Sequence, residues 1–367
     1  MCIRDRVCSK QSTLISAYPG VCLNCIRNNF SEARRHILEC HRKIKELFNL
    51  PTTVSQDRAG ILCNLCVNRC RISQNQKGLC GLRKNMNNRL EGVAPEKGNL
   101  VFYFDNLPTN CVADFVCPAG TGYGYPLFAY KEGPEYGYKN LAVFYNGCSF
   151  NCLFCQNWHY RKYLKEDIVY ISPEELAEAI DENTSCICYF GGDPSCQLPH
   201  SILTSQIALK IKKNRILRIC WETNGSMDER LLEEIVAIAL QSGGCIKFDL
   251  KAWSEELNIA LCGVSNQRTL ENFKRISRFI KKKPEIPLLV ASTLLVPGYI
   301  DEQEIRDICR FISSLDKNIP YSLLGFSPSF FMRDLPFTSR KEAFKARKIA
   351  LEEGLNKVYV GNIHILS

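Results

Sequence analysis

The sequence predicts an α/β fold, a parallel sheet flanked by helices and preceded by a cysteine-rich extension. Three observations predict it. From Asn140 onward, six apolar, β-rich runs alternate with helical stretches, the pattern of βαβ units feeding a parallel sheet. The runs lack polar alternation, so both faces of the sheet are covered. The 21 cysteines are unevenly spread: eleven before residue 118, three between Cys148 and Cys155, and seven beyond.

In the extension, residues 1–139, the chain is rich in Cys, Asn, Gly and Pro. One helix is expected there, over 31–48, with Ser31 as its cap and Ile37, Ile44 and Leu47 on its apolar face. In the domain at 140–367, strands are expected at 141–145, 186–190, 216–221, 245–250, 288–296 and 321–326. Helices are expected at 173–180 (capped by Ser172), 200–212, 228–241, 270–281, 301–314 and 340–353. No internal repeat of solenoid length is present.

Composition narrows the class. The 367 residues are 46% hydrophobic and 23% charged, which excludes disordered, collagen-like and low-complexity chains. No apolar run reaches the roughly 18 residues of a membrane span. An odd cysteine count without a signal-peptide pattern argues against a disulfide framework; it favours thiols in a reducing cytoplasm, many of them metal ligands. The net charge of +9 comes from scattered residues such as Arg34, Arg35, Lys212, Lys213 and Lys281, which describes a solvated surface rather than a nucleic-acid-binding arm. Residues 1–6, MCIRDR, read like the translated end of a sequencing-library adapter, so Cys2 carries no weight.

In parallel sheets chemistry gathers at the carboxyl ends of the strands. The first strand here is followed by Cys148-x3-Cys152-x2-Cys155, the second by Gly191-Gly192-Asp193-Pro194, the third by Glu222-Thr223-Asn224-Gly225. The fourth carries Asp249 and Lys251, two apart and so on one face. Three thiolates on one turn can hold three corners of an iron–sulfur cubane and leave one iron open; zinc, with His159 as fourth ligand, is the competing occupant. Gly191-Gly192 permits close backbone approach to a ligand, Asn224-Gly225 is also a plain turn dipeptide, and Asp249–Lys251 is also a plain salt bridge.

With those motifs the chain resembles the radical SAM superfamily over most of the segment from Asn140. The resemblance implies a partial (β/α)6 TIM-type barrel of parallel strands and a [4Fe-4S] cluster on Cys148, Cys152 and Cys155. It also implies S-adenosylmethionine (SAM) as co-substrate, cleaved reductively to a 5′-deoxyadenosyl radical that abstracts hydrogen. By the same resemblance Phe154 lies by the adenine, Gly191, Gly192 and Asp193 hold the methionine amino group, and Glu222, Thr223 and Asn224 contact ribose and methionine. Asp249 and Lys251 then contact cofactor or substrate. More narrowly, Cys152-Leu153-Phe154-Cys155-Gln156-Asn157, Gly361-Asn362 and Met332-Arg333-Asp334-Leu335-Pro336 resemble the pyruvate formate-lyase activating enzyme branch and its AmmeMemoRadiSam-system relatives. That branch implies a flavodoxin- or ferredoxin-type electron donor and a glycyl-radical protein as partner. Modification of a small molecule or RNA, and a non-catalytic zinc protein, are the alternatives.

The extension carries Cys63-x2-Cys66-x3-Cys70-x9-Cys80, four thiolates that could hold zinc or a second iron–sulfur cluster. Its spacing differs from the paired Cys-x2-Cys-x2-Cys-x3-Cys-Pro of ferredoxin inserts. Cys22-x2-Cys25, with His36, Cys40 and His41, could form another zinc site. Cys111 and Cys117 have no assigned role.

Overall fold

The computed structural model describes residues 2–164 and 169–367; Met1 of the adapter-like stretch lies outside them. Eight strands form one sheet in which spatial order follows chain order. Leu100–Asn106 runs antiparallel to Lys139–Tyr145, and from there every neighbour is parallel: Thr184–Gly191, Arg218–Thr223, Ile246–Asp249, Leu289–Leu295, Tyr321–Gly325 and Val358–Gly361. The first and last strands do not pair, so the sheet is an open, partial barrel.

All six expected strands are present, with ends moved by one or two residues. Two further strands join them. Val358–Gly361 is only four residues long, and Leu100–Asn106 has Val101, Tyr103 and Phe104 exposed on an edge, so neither shows the unbroken apolar burial that marked the others. Because Leu100–Asn106 extends the sheet, part of the segment before residue 140 is built into the barrel wall.

Ser172 caps Pro173–Glu178 through a full capping box, its Oγ accepting from Glu175 N at 3.1 Å while Glu175 Oε2 accepts from Ser172 N at 3.3 Å. The extension helix corrects one expectation. It spans Phe30–Leu47, so Ser31 lies inside it and the preceding residue is Asn29, without a side-chain cap bond. The start is fixed instead by packing: Ile26, Ile37 and Ile44 are fully buried in the same apolar cluster as Leu141, Val143 and Trp221 of the sheet. A short helix at Glu255–Cys262, not among the expected elements, is bracketed by Ser254 before its acidic first turn and by Gly263 in the left-handed region at its end.

Ion pairs of two arginines tie the extension down. Arg218 of the third parallel strand meets Glu135 with both side chains buried, and Arg27 bridges Asp301 and Glu304. The result brings the carboxyl ends of the six parallel strands from Lys139–Tyr145 to Tyr321–Gly325 to one cavity.

Candidate functional site

The loop after Lys139–Tyr145 turns at Gly147, where φ is +103° and a side chain would run into Leu82. The loop is then pinned by backbone bonds from Asn151 N to Cys262 O at 2.8 Å and Leu153 N to Leu261 O at 2.9 Å. This holds Cys148, Cys152 and Cys155 at the mouth as free thiols. They line a cavity of about 160 Å³, and all nine residues expected around a cofactor line it with them: Phe154, Gly191, Gly192, Asp193, Glu222, Thr223, Asn224, Asp249 and Lys251.

Gly192 is where two backbones meet. Its N–H donates to Tyr145 O, the next N–H, of Asp193, donates to Gly147 O, both at 2.9 Å, and a Cβ would stand 2.3 Å from Gly147 O. Asp193 accepts from Ser195 N at 2.7 Å, Asn224 N at 2.6 Å and Thr223 Oγ1 at 3.1 Å. Burial raises its carboxyl above the usual range in spite of those donors. Asp193 and Thr223 thus tie the second and third strand ends together. Asn224 turns its Nδ2 to Ser149 Oγ at 2.9 Å and toward Cys148 Sγ at 3.7 Å.

Asp249 and Lys251 face the same way, 2.6 Å apart, with Ser292 Oγ donating to the other Asp249 oxygen at 2.6 Å. Burial alone would lower the Lys251 ammonium, but the Asp249 carboxylate and Cys152 hold it well above the ordinary lysine value. Lys251 also lies 5.9 Å from the Phe154 ring centroid. Glu222 sits 3.5 Å from the buried Lys247, at the junction with a neighbouring cavity of about 370 Å³ lined in part by Cys111, Cys117 and Cys188.

Arg161 gave no sequence signal. It is buried on the short helical segment Trp158–Tyr163, between the rings of Tyr160 and Phe330, and its Nη2 donates to Asn151 Oδ1 at 3.2 Å. Among the described residues its buried Nε and Nη1 have no close hydrogen-bond partner, the guanidinium reaching instead toward the Cys155 sulfur, and the charges it faces are Tyr160, Cys155 and Cys148. A buried cation with two unspent donors beside three thiols fits an anionic metal–thiolate cluster. Burial raises the Cys148 and Cys155 thiols, and a hydrogen bond with Cys262 adds to burial at Cys152, so a bound metal must displace protons here. The fourth ligand expected for zinc is not at the site: His159 is exposed, stacked on Trp158 and away from the cavity lining.

Cys63, Cys66, Cys70 and Cys80 do not enter this cavity; they line a separate pocket with Cys196. The expected partners of Cys22 and Cys25 are corrected. Their side chains meet Asp5 and Cys8, with all four ligand atoms within 4.8 Å of one another. His41 instead bonds the carbonyls of Ile259 and Ala260, Cys40 donates to Tyr18 O, and His36 contacts Arg35, because the helix carrying them packs against the barrel.

Residues 142–312 match the model of the radical SAM superfamily. An uncharacterized protein of Methanocaldococcus jannaschii is 28% identical over 308 residues, covering 83% of this chain and 81% of that protein. The pyruvate formate-lyase 1-activating enzyme of Escherichia coli K12 is 25% identical over 197 residues, 50% of this chain and 75% of that enzyme. A domain of pyruvate-formate lyase-activating enzyme from Bacteroides vulgatus overlaps with TM-score 0.35 at 18% identity, covering 44% of this chain and 94% of that one. The segment 142–312, which carries the three thiols on its first strand-end loop, is thus similar to the radical SAM superfamily, whose enzymes use a [4Fe-4S] cluster and SAM.

Proposed function

We propose that Cys148, Cys152 and Cys155 hold the [4Fe-4S] cluster and that the other residues of the 160 Å³ cavity bind SAM against its open iron. The observation that carries this reading is the convergence of three free thiols, the Gly191-Gly192 approach and the unspent Arg161 donors on one cavity. When bound, the cluster supplies the electron that cleaves SAM to methionine and a hydrogen-abstracting 5′-deoxyadenosyl radical.

The chain's own residues then have separate tasks. Arg161 offsets the negative charge of the thiolates. Gly191 and Gly192 leave room for the methionine end, while Asp193 and Thr223 lock the two loops that frame it. Asn224 and Glu222 offer polar atoms to the carboxylate and ribose, and Phe154 gives an apolar face for the adenine. The Asp249–Lys251 pair holds a fixed cation and acceptor beside Cys152 and Phe154, and the surrounding buried wall excludes water.

For the hydrogen donor, the reading favoured by the Escherichia coli relative is a glycine of a partner protein, with a flavodoxin or ferredoxin as electron source and the cytoplasm as location. Among the described residues no helix is long and apolar enough to cross a membrane. The neighbouring 370 Å³ cavity supports a second reading, a small molecule seated beside Glu222 and Lys247. An anaerobic assay tests the shared core. Reconstituted protein with dithionite and SAM releases 5′-deoxyadenosine, and Cys152→Ala abolishes it; normal release by that variant overturns the cluster assignment. Deuterium transfer from a labelled glycyl partner or a labelled small molecule into 5′-deoxyadenosine separates the two donors.

A further inference from the structure

Outside the cofactor cavity, the most compact set of metal-ligating side chains lies near the start of the chain. Ile3–Arg4 and Gln11–Ser12 pair as a short hairpin whose connecting turn carries Asp5 and Cys8. Cys22 immediately precedes the helix Leu23–Asn28, and Cys25 sits in its first turn. Two turns with the same spacing, Asp5-x2-Cys8 and Cys22-x2-Cys25, are thereby brought together. Their four ligand atoms lie within 4.8 Å of one another, and among the described residues no other set of three or more Cys, His, Asp or Glu side chains is so compact.

The dimensions are those of one tetrahedral ion. Zinc at about 2.3 Å from sulfur and about 2.1 Å from oxygen places two sulfurs about 3.8 Å apart, and a sulfur and an oxygen about 3.6 Å apart. Cys8 Sγ and Cys22 Sγ are separated by 3.9 Å, and Cys25 Sγ and Asp5 Oδ1 by 3.7 Å. All three cysteines are free thiols.

The charge balance points the same way. Asp5 is 2% exposed, and its carboxylate accepts from Val7 N at 2.6 Å, Cys8 N at 2.8 Å and Cys22 N at 2.5 Å, with the Cys25 thiol beside it. No side-chain cation is among those partners, so a buried negative charge is met by N–H and S–H groups alone, a costly arrangement that a dication relieves. The three N–H bonds leave part of the carboxylate's acceptor capacity open. Cys25 N–H is aimed at the Cys22 sulfur, a donor that favours a thiolate there. Cys8 is exposed while Cys22 and Cys25 are buried, which gives an ion a path of entry.

Asp5 belongs to the adapter-like residues 1–6, whereas Cys8, Cys22 and Cys25 lie beyond them. The three thiols therefore carry the assignment, and position 5 supplies the fourth donor where a Cys-x2-Cys turn would carry a fourth thiol.

We propose that Cys8, Cys22 and Cys25, together with Asp5, hold a structural zinc ion that clamps the first hairpin to the segment docked on the barrel. Binding exchanges three thiol protons for one Zn2+ with no change of oxidation state. The clamped segment reaches the barrel beside Cys22: Tyr299 Oη donates to Val21 O and accepts from Ser16 N, both at 3.1 Å, and Asp334 accepts from Ala17 N at 2.6 Å. This ion is independent of the cluster at Cys148, Cys152 and Cys155.

Zinc alone is the probe. The full-length protein is loaded with zinc under anaerobic, reducing conditions and challenged with a competing chelator. The parent is expected to retain one more zinc per chain than Cys8→Ser, with the affinity at this site at least about 100-fold lower in the variant. Asp5→Cys is expected to hold the ion at least about tenfold more tightly than the parent, since thiolate is the softer ligand. Added zinc is expected to raise the unfolding temperature of the parent more than that of Cys8→Ser. Equal retention by the parent and Cys8→Ser, or iron at these thiols in place of zinc, overturns the proposal. Should Cys8→Ser fail to fold, cobalt(II) in the parent decides: tetrahedral ligand-field absorption that Asp5→Cys shifts toward all-sulfur coordination sustains it, and an unshifted spectrum overturns it. Cys152→Ala is expected to keep this zinc, so failure of the cluster reading and failure of this one are seen separately.

Discussion

Adding one methyl group at Gly192 tests the geometry most severely. In Gly192→Ala the new Cβ stands 2.3 Å from Gly147 O and 2.9 Å from Gly147 C, where ordinary contacts stay beyond 3.0 Å. The obstacle is backbone, so it cannot rotate away, and the two loops must part by at least the 0.7 Å between 2.3 and 3.0 Å. Parting strains the bonds from Gly192 N to Tyr145 O and from Asp193 N to Gly147 O, each contributing about 1 kcal/mol. It also moves the residue next to Cys148. A misplacement approaching 1 Å costs about 100-fold when reacting groups must align. The expected outcome is an iron content near that of the parent, because all three thiols remain on their turn, with 5′-deoxyadenosine formation down about 100-fold. Anaerobic turnover at saturating SAM, with iron measured on the same sample, checks it. Parental turnover with parental iron would refute the reasoning that this backbone contact sets the SAM site.

Other outcomes follow from the same structure. Arg161→Leu removes the cation beside Cys148 and Cys155, so the added electron is less well stabilised; the dithionite-reduced fraction, quantified by electron paramagnetic resonance, falls several-fold and Arg161→Lys recovers part of it. An unchanged reduced fraction would contradict that role. Burial pushes His41 and His200 down to about 4, and their bonds fix neutral rings: His41 Nε2–H donates to Ile259 O, and His200 Nε2–H donates to Ile171 O while Tyr145 O–H donates to Nδ1 at 2.7 Å. The unfolded chain binds these protons below about 6.5 and the fold resists them, so their stability is present above that value and lost as pH falls toward about 4. Between pH 7.5 and 5.0 the loss is about 2 kcal/mol per histidine, read from urea unfolding, and His200→Gln should remove about half of it. Full pH sensitivity in that variant would sink the assignment.

How much of this was legible in the sequence depended on how far apart the cooperating residues lie. Cys148, Cys152 and Cys155 declare themselves because one short turn carries all three, and Gly191-Gly192 because it follows the next strand directly. The parallel strands were visible because burial on both faces leaves unbroken apolar runs. Leu100–Asn106 carries such a run too, Leu100 to Phe104, but it lies in a stretch rich in Cys, Asn, Gly and Pro and ahead of the strand–helix alternation, so it reads as part of the extension. Arg161 stands beside Lys162 in a run of aromatics, and only packing shows that it is the buried one with unfilled donors. Cys196 joins Cys66 and Cys80 across more than a hundred residues, and Cys22 finds Asp5 rather than His36 because the intervening helix turns its histidines elsewhere. Such pairings arise only as the chain folds, and no local spacing encodes them.

Electron paramagnetic resonance of the dithionite-reduced protein, recorded before and after SAM is added, tests the central claim most directly. An iron corner free of protein ligands predicts that SAM shifts the g-values of the signal lost in Cys152→Ala. A spectrum unmoved by SAM, or a parent protein carrying zinc at those three thiols, would contradict it.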